Sequence, residues 1–300
     1  MRDMRAKLIV NPVSGKDAAP DALATINRLL RERVERLDIV MTVAAGDAIG
    51  LATRAVEDGC DHLFVCGGDG TLNEVINGVA AVRGGLDAVS IGIIPLGTGN
   101  DFATAMGLAG DVETSIAQLF EREAVRVDLG RLNGRAFVNV SAGGFIAEVS
   151  DAVTEPMKTV AGKLAYLLGG AQVVFTYTPV RATIRIEGAP ASLDLQTFAV
   201  CNSRLVGGGS LIAPHARPDD GLLDVCLIEA MPTVEFIALL RRVAKGEHLE
   251  DPRVTYFQSA APELSFDRTI KINTDGEVIE TDRSRYEILP RAVRFLGGRG

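Results

Sequence analysis

The sequence predicts two domains: an α/β domain with a mostly parallel sheet and helices on both faces, then a second, mainly antiparallel β domain. Three observations predict this. The first 125 or so of the 300 residues alternate short apolar runs with amphipathic ones. The apolar runs are continuous and end in glycine-containing loops, as strands covered on both faces do. Beyond that point VRATIRIE alternates strictly, with Val180, Ala182, Ile184 and Ile186 on one face and Arg181, Thr183, Arg185 and Glu187 on the other. That period of two marks a half-buried antiparallel strand.

The elements follow in order. KLIV (Lys7–Val10) is a strand, then comes the loop NPVSGKDAAP and a helix from about Asp21 to Val34. DIVMT (Asp38–Thr42) is a second strand, followed by a helix over Ala48–Glu57. HLFVC (His62–Cys66) is a third, and GGDG leads from it into a helix. VSIGIIP (Val89–Pro95) is a fourth, followed by LGTGN and another helical segment. In the second domain LQTFAVCNS, GLLDVCLIE, RTIKIN and RYEIL are strands, with helices near Lys158–Phe175 and Thr233–Lys245.

Composition excludes some functions. The chain is 47% hydrophobic and 23% charged, enough for a substantial core, and its net charge of -8 argues against a nucleic-acid-binding face. Cys60, Cys66, Cys201 and Cys226 form no CxxC pair; Cys60, Cys66 and Cys226 lie in or beside apolar runs, so buried free thiols are expected there, in keeping with a reducing cytoplasm. The N-terminus lacks a signal-peptide pattern, and the uncharged run Leu164–Val180 is too short and broken to span a bilayer.

Three polar loops follow three strands: Asn11–Gly15, Gly67–Gly70 and Leu96–Asn100. Thr71-Leu72-Asn73-Glu74 fits a capping box, which starts the helix at Thr71 with Glu74 reaching back. Thr98-x-x-Asp101 repeats the pattern. Glycines beside helix N-termini let phosphate oxygens approach backbone N–H groups. Three such loops on one rim favour an oligophosphate over three unrelated turns. Neither a complete G-x-x-x-x-G-K-[ST] nor a G-x-G-x-x-G is present. Locally, Asp69 also fits a turn acid that caps backbone N–H groups. PDDG and TDGE also fit ordinary turns, with Glu277 merely exposed.

NPVSGK, VCGGDGTLNEVINGV and IIPLGTGNDFA together resemble the catalytic domain of the diacylglycerol kinase and sphingosine kinase superfamily, in particular the compact bacterial lipid kinases of the YegS type. The likeness continues through FVNVSAGGF, GGGSLIAPHARPDDGLLDV and TDGE, in order, over nearly the whole chain. GGDGT alone is shared with NAD kinases and phosphofructokinases; the full series is far more specific. The resemblance implies an ATP-binding domain over 1–127 with a C-terminal return at 289–300, and a β-sandwich over 128–288. It implies that ATP is lined by Asn11, Pro12, Val13, Ser14, Gly15, Thr42, Gly67, Gly68, Asp69, Gly70, Thr71, Leu72, Asn73 and Thr98. Asp69 would face the phosphates through Mg²⁺ or water, and its removal is expected to spare the fold. Thr42 rests only on its position after a strand. A structural Mg²⁺ would be held by Asp220 and the carbonyls of Arg217 and Leu222, with Asp219 and Asp224 left open as alternatives. Glu277 would be the general base, with Asp275 next in line.

The expectation is thus an ATP- and Mg²⁺-dependent kinase of a membrane-lipid hydroxyl such as that of diacylglycerol. It would be cytoplasmic, transiently at the membrane surface, without nucleic acid or a transmembrane segment, and with a homodimer left open. With only Lys158 and Lys163 in EPMKTVAGKLAYLL, electrostatic docking there is expected to be weak. A kinase of a soluble acceptor, of the NAD kinase type, and a non-catalytic nucleotide-binding regulator are the alternatives. The downstream series argues against the first, and the presence of Asp69, Asp220 and Glu277 against the second.

Overall fold

The computed structural model describes residues 4–14, 20–97, 99–108, 110–152, 177–186 and 189–298. The predicted helix near Lys158–Phe175, with Lys163, Leu164, Tyr166 and Leu167, and the end of the alternating strand at Glu187 lie outside the described residues. The chain divides into two compact units, Met1–Asp128 with Arg291–Gly300, and Leu129–Pro290.

The first unit is built on β1 (Arg5–Val10), β2 (Arg36–Met41), β3 (His62–Gly67) and β4 (Ser90–Pro95). They lie in the order β4-β3-β1-β2, and every pair is parallel. The end of β13 (Glu277–Phe295) extends this sheet, with Arg294 and Phe295 parallel to Ser90 and Ile91. Ile9, Val10, Leu63, Phe64, Val65, Ile91 and Ile94 are buried, which is why β1, β3 and β4 carry unbroken apolar runs; the edge strand β2 departs from the expected cover on both faces, with Ile39 and Met41 exposed.

Helices α1 (Pro20–Arg31), α2 (Asp47–Glu57), α3 (Asp69–Ala81), α4 (Gly85–Ala88), α5 (Asp101–Ala105) and α6 (Val112–Glu121) connect and cover them. α1 packs against α6 and β2, and α2 packs against α3 and β1. α6 starts at the cap Asp111, whose carboxylate accepts from Thr114 N at 2.8 Å. The predicted capping box at Thr71 does not form. α3 begins at Asp69 behind the cap Gly68, and no side chain caps it. Glu74 reaches to another helix: its carboxylate accepts from Gly46 N at 2.9 Å and Ala48 N at 3.1 Å, at the start of α2. The N–H groups of α2 have no capping side chain of their own at Gly46, so the contact between helices wins over the local one.

The second unit holds the end of β5 (Val125–Leu132), then β6 (Arg135–Phe137), β7 (Val140–Gly144), α7 (Phe145–Ala152), β8 (Val180–Ile186), β9 (Ala189–Cys201), β10 (Leu223–Glu229), α8 (Thr233–Val243), a 3-10 turn His248–Glu250, β11 (Val254–Ser259), β12 (Glu263–Thr274) and most of β13. β9 and β12 are long, and each pairs antiparallel with β8 over one half and with β7 over the other. The four strands thereby close around an apolar interior. Val180, Ala182 and Ile184 point into it, as the alternation predicted, while Arg181, Thr183 and Arg185 are exposed. Phe198 and Val200 of β9 join Val225 and Leu227 of β10 there. Their neighbours Ala199, Cys201, Cys226 and Ile228 face a second cluster with Phe145 of α7 and Phe236 and Leu239 of α8. Each such large side chain contributes roughly 1.5–3 kcal/mol by leaving water. Of the four free thiols, Cys60 is only half-buried, a departure from the expectation; it lies just past the end of α2, before β3 begins.

Candidate active site

In the first unit, parallel strands put the C-terminal ends of β1, β3 and β4 on one rim, where open α/β sheets take ligands. Asn11 follows β1. Its N–H donates to Cys66 O at 2.9 Å, and its side-chain amide donates to Thr71 Oγ1 at 3.0 Å. Its carbonyl Oδ1 accepts from Val13 N at 3.1 Å, which turns the Asn11–Ser14 loop outward. Val13 is 74% exposed there. Gly15 and Thr98 lie outside the described residues.

The loops after β3 and β4 touch through glycine. Leu96 N donates to Gly67 O at 3.1 Å, and a Cβ placed on Gly97 would lie 2.6 Å from Gly68 Cα. Backbones that close exclude any side chain there. α3 leaves this junction with a glycine cap, the arrangement in which first-turn N–H groups suit a phosphate. Gly70 and Thr71 belong to that turn; Thr71 is buried, as are Leu72 and Asn73, which pack α3 against the rest of the unit. Thr42, at the end of β2, is buried, and its hydroxyl faces Val10 O at 3.5 Å.

Asp69 ties the two loops together. Its carboxylate accepts from Asp101 N at 2.9 Å and Phe102 N at 3.0 Å, the first N–H groups of α5. It therefore acts as the N-cap side chain that Asn100, held at φ 51° with its amide on Gly97 O at 2.6 Å, does not supply. Burial pushes the Asp69 carboxyl up, and the Phe102 and Asp101 N–H groups pull it back.

In the second unit, Thr274–Glu277 is a two-residue hairpin turn between β12 and β13, with Asp275 at φ 49° and Gly276 at φ 97°. Glu277 is not merely exposed: it is half-buried and forms an ion pair with Arg135 of β6. Asp275 is buried, and its carboxylate accepts from Val138 N at 2.6 Å, Asn139 N at 3.1 Å and Val140 N at 2.8 Å. Its carboxylate is buried and already taken up by three backbone donors, which argues against Asp275 as the alternative base.

The turn at Asp220 is exposed. Its carboxylate accepts from Leu222 N at 3.1 Å and from the Gln258 amide at 3.4 Å. The same Gln258 amide donates to the buried Asp224 at 3.3 Å, and Tyr256 OH donates to Asp224 at 2.6 Å. Burial pushes the Asp224 carboxyl up, the Tyr256 and Gln258 hydrogen bonds oppose it, and the Asp220 charge adds to the rise. Asp219 pairs with Arg217 at 3.5 Å. His215 is exposed, edge-on to Tyr256 with ring centroids 6.0 Å apart. No three His, Cys, Asp or Glu side chains converge as a metal-binding group among the described residues.

Arg135 was missed from sequence, although a signal for it exists. Asn133-Gly134, at φ 48° and 88°, is the Asn-Gly pair of a tight hairpin and places Arg135 on its second strand. The grip of Asp275 on Val138–Val140 had no local signal.

The sequence matches the diacylglycerol kinase catalytic domain over residues 5–132 and the YegS C-terminal NAD kinase beta sandwich-like domain over residues 139–297. The diacylglycerol kinase of Staphylococcus carnosus (strain TM300) is 32% identical over 273 residues, 91% of this chain and 88% of that one. The diacylglycerol kinase of Bacillus subtilis (strain 168) is 31% identical over 274 residues, 91% of this chain and 89% of that one. A solved structure of a diacylglycerol kinase from Bacillus anthracis str. Sterne superposes with a TM-score of 0.77 at 21% identity, over 99% of this chain and 97% of that one, a likeness of fold. Matched at this identity over this length, the chain belongs to the diacylglycerol kinase family of lipid kinases with a YegS-type C-terminal domain, phosphotransferases whose acceptor is an alcohol.

Proposed function

We propose that the chain transfers the γ-phosphoryl group of ATP, with Mg²⁺, to a hydroxyl of a membrane lipid such as diacylglycerol. The observation that carries this is the junction of Asn11, Thr71, Gly68, Gly97 and Asp69 on one rim. It presents the N-terminus of α3, with a glycine cap and no side chain capping it, where an oligophosphate can be received. Asp69 holds α5 in register with that loop, so its part in catalysis includes positioning.

In this reaction the bond from the γ-phosphorus to its bridging oxygen breaks. A bond to the acceptor oxygen forms, the hydroxyl proton passes to Glu277, and ADP leaves. Positioning and charge neutralisation supply most of the rate, and a placed carboxylate adds roughly 10²–10⁴-fold. Magnesium, when bound, neutralises phosphate charge. The exposed carboxylate of Asp220, with the carbonyls of Arg217 and Leu222, fits the hard-oxygen donor set such a cation takes at a structural site.

The same proposal takes the first domain as 1–127 with 289–300, with helices on both faces of its sheet. The separate packing of α1 with α6 and of α2 with α3 supports that arrangement. It takes 128–288 as a β-sandwich, and places the enzyme in the cytoplasm, acting at the membrane surface. Among the described residues no helix is long and apolar enough to cross a membrane.

Phosphate transfer from labelled ATP to a panel of lipids in mixed micelles, with NAD as the soluble control, tests the substrate class. Label entering a lipid supports it, and label entering NAD alone refutes it. Glu277→Gln keeps the shape and is expected to lower turnover by about 10²–10⁴-fold while ATP affinity, measured by calorimetry, is retained. Wild-type turnover in that variant would remove Glu277 as the base.

A further inference from the structure

Glu277 sits on a hairpin turn, an element whose tip is ordinarily mobile. This turn is held at every residue. Thr274 pairs with Ser141 across the ladder, their hydroxyls 2.9 Å apart. Gly276 N donates to Asn273 Oδ1 at 2.8 Å. Asp275 N donates to Val140 O at 3.0 Å, while the Asp275 carboxylate takes the N–H groups of Val138, Asn139 and Val140. That stretch is itself gripped from its far side: Asn202 donates its amide to Val138 O at 2.9 Å and its N–H to Asn139 O at 2.9 Å. Asp275 also holds φ 49°, a conformation that non-glycine residues keep only where their surroundings enforce it. Arg135 meets the Glu277 carboxylate from β6. A solvent-exposed turn has no need of so many restraints. A proton acceptor does, because a displacement of about 1 Å costs roughly 10²-fold in rate.

We propose that Asp275 and Arg135 are positioning residues for Glu277: Asp275 fixes the turn to the start of β7, and Arg135 fixes the direction of the carboxylate. This rests on the reading of Glu277 as the general base. Neither residue takes a proton in the reaction. Their effect passes through Glu277, so it should vanish once Glu277 can no longer act.

The test is a pair of double-mutant cycles on the full chain, with kcat at saturating lipid in mixed micelles, KM for ATP, and melting temperature measured together. Asp275→Asn presents an amide NH₂ to backbone N–H groups and should shift the turn. Arg135→Met keeps the stem, leaves the fold and removes the cation. Each is expected to lower kcat about 5- to 100-fold with KM for ATP unchanged, and to change kcat less than about twofold in a Glu277→Gln background. Losses that multiply with that of Glu277→Gln would mean that both residues act independently of the base, and would overturn the proposal while leaving the base reading standing. A Glu277→Gln enzyme with wild-type kcat would overturn both. Should Asp275→Asn not fold, the Arg135→Met cycle decides by the same criterion.

Discussion

The Asp69 carboxylate and the Phe102 N–H meet at 3.0 Å, although 33 residues separate them. The contact makes the acid of one glycine loop the cap of the helix that follows the other. Sequence alone expects Asp69→Ala to spare the fold; the cap changes that expectation. The predicted outcome is a joint loss: activity falls, and stability falls by about 0.5–2 kcal/mol, as for other cap deletions. Activity and melting temperature measured on one preparation check this, and an unchanged melting temperature would deny Asp69 its capping role.

Glu74 makes the second prediction. Its carboxylate caps α2, not the helix that carries it. Glu74→Ala should lower stability by about 1 kcal/mol. Amide exchange should rise in the first turn of α2 and stay unchanged at the start of α3. Faster exchange at α3 would mean that Glu74 serves its own helix after all.

Acid should weaken the second unit through His248. The ring is fully buried, with Nε2 on Ile212 O at 3.1 Å and Cys226 Sγ at 3.7 Å. Burial holds its pKa below the ordinary 6.5, the Ile212 hydrogen bond opposes this, and the Arg242 charge adds to the lowering. Below pH 6.5 the unfolded chain therefore binds the proton more readily than the folded one. Stability from this group is complete above that pH and lost as pH falls. Melting temperatures at about pH 7.5 and 5.5 should differ more for wild type than for His248→Gln. Equal falls would exclude His248 as the cause.

Magnesium makes the fourth prediction. If a cation sits at the Asp220 turn, adding Mg²⁺ should raise the melting temperature of wild type, by mass action, and not that of Asp220→Ala. The same rise in both proteins would move the ion elsewhere.

β1, β3 and β4 were legible because Ile9, Val10, Leu63, Phe64, Val65, Ile91 and Ile94 are buried and so leave unbroken apolar runs, whereas β2 carries such a run although its Ile39 and Met41 are exposed. β8 was legible for the opposite reason: one of its faces is wet, and the alternation of Val180, Ala182 and Ile184 with arginine and threonine records it. The glycine loops were legible in part because the close backbone approach at Gly97, where a Cβ would lie 2.6 Å from Gly68 Cα, excludes a side chain. What stayed hidden were side chains with two possible uses. Glu74 has the spacing of a capping box, and only the tertiary structure decides that Gly46 and Ala48 receive it. Asp275 reads as an ordinary turn residue because its three donors lie 135 to 137 positions away.

The pairing of Arg294 and Phe295 with β4 bears on how the molecule is made. Phe295 also packs on Phe102, ring centroids 5.0 Å apart, at the helix capped by Asp69. During synthesis these partners emerge nearly two hundred residues after β4 has left the ribosome. Until then the nascent first unit carries an unpaired strand edge beside a bare aromatic face, the kind of surface that invites misassociation. Such a chain begins folding early and completes the fold late, and truncation before Arg294 would remove both of β4's partners there and the ring that packs on Phe102.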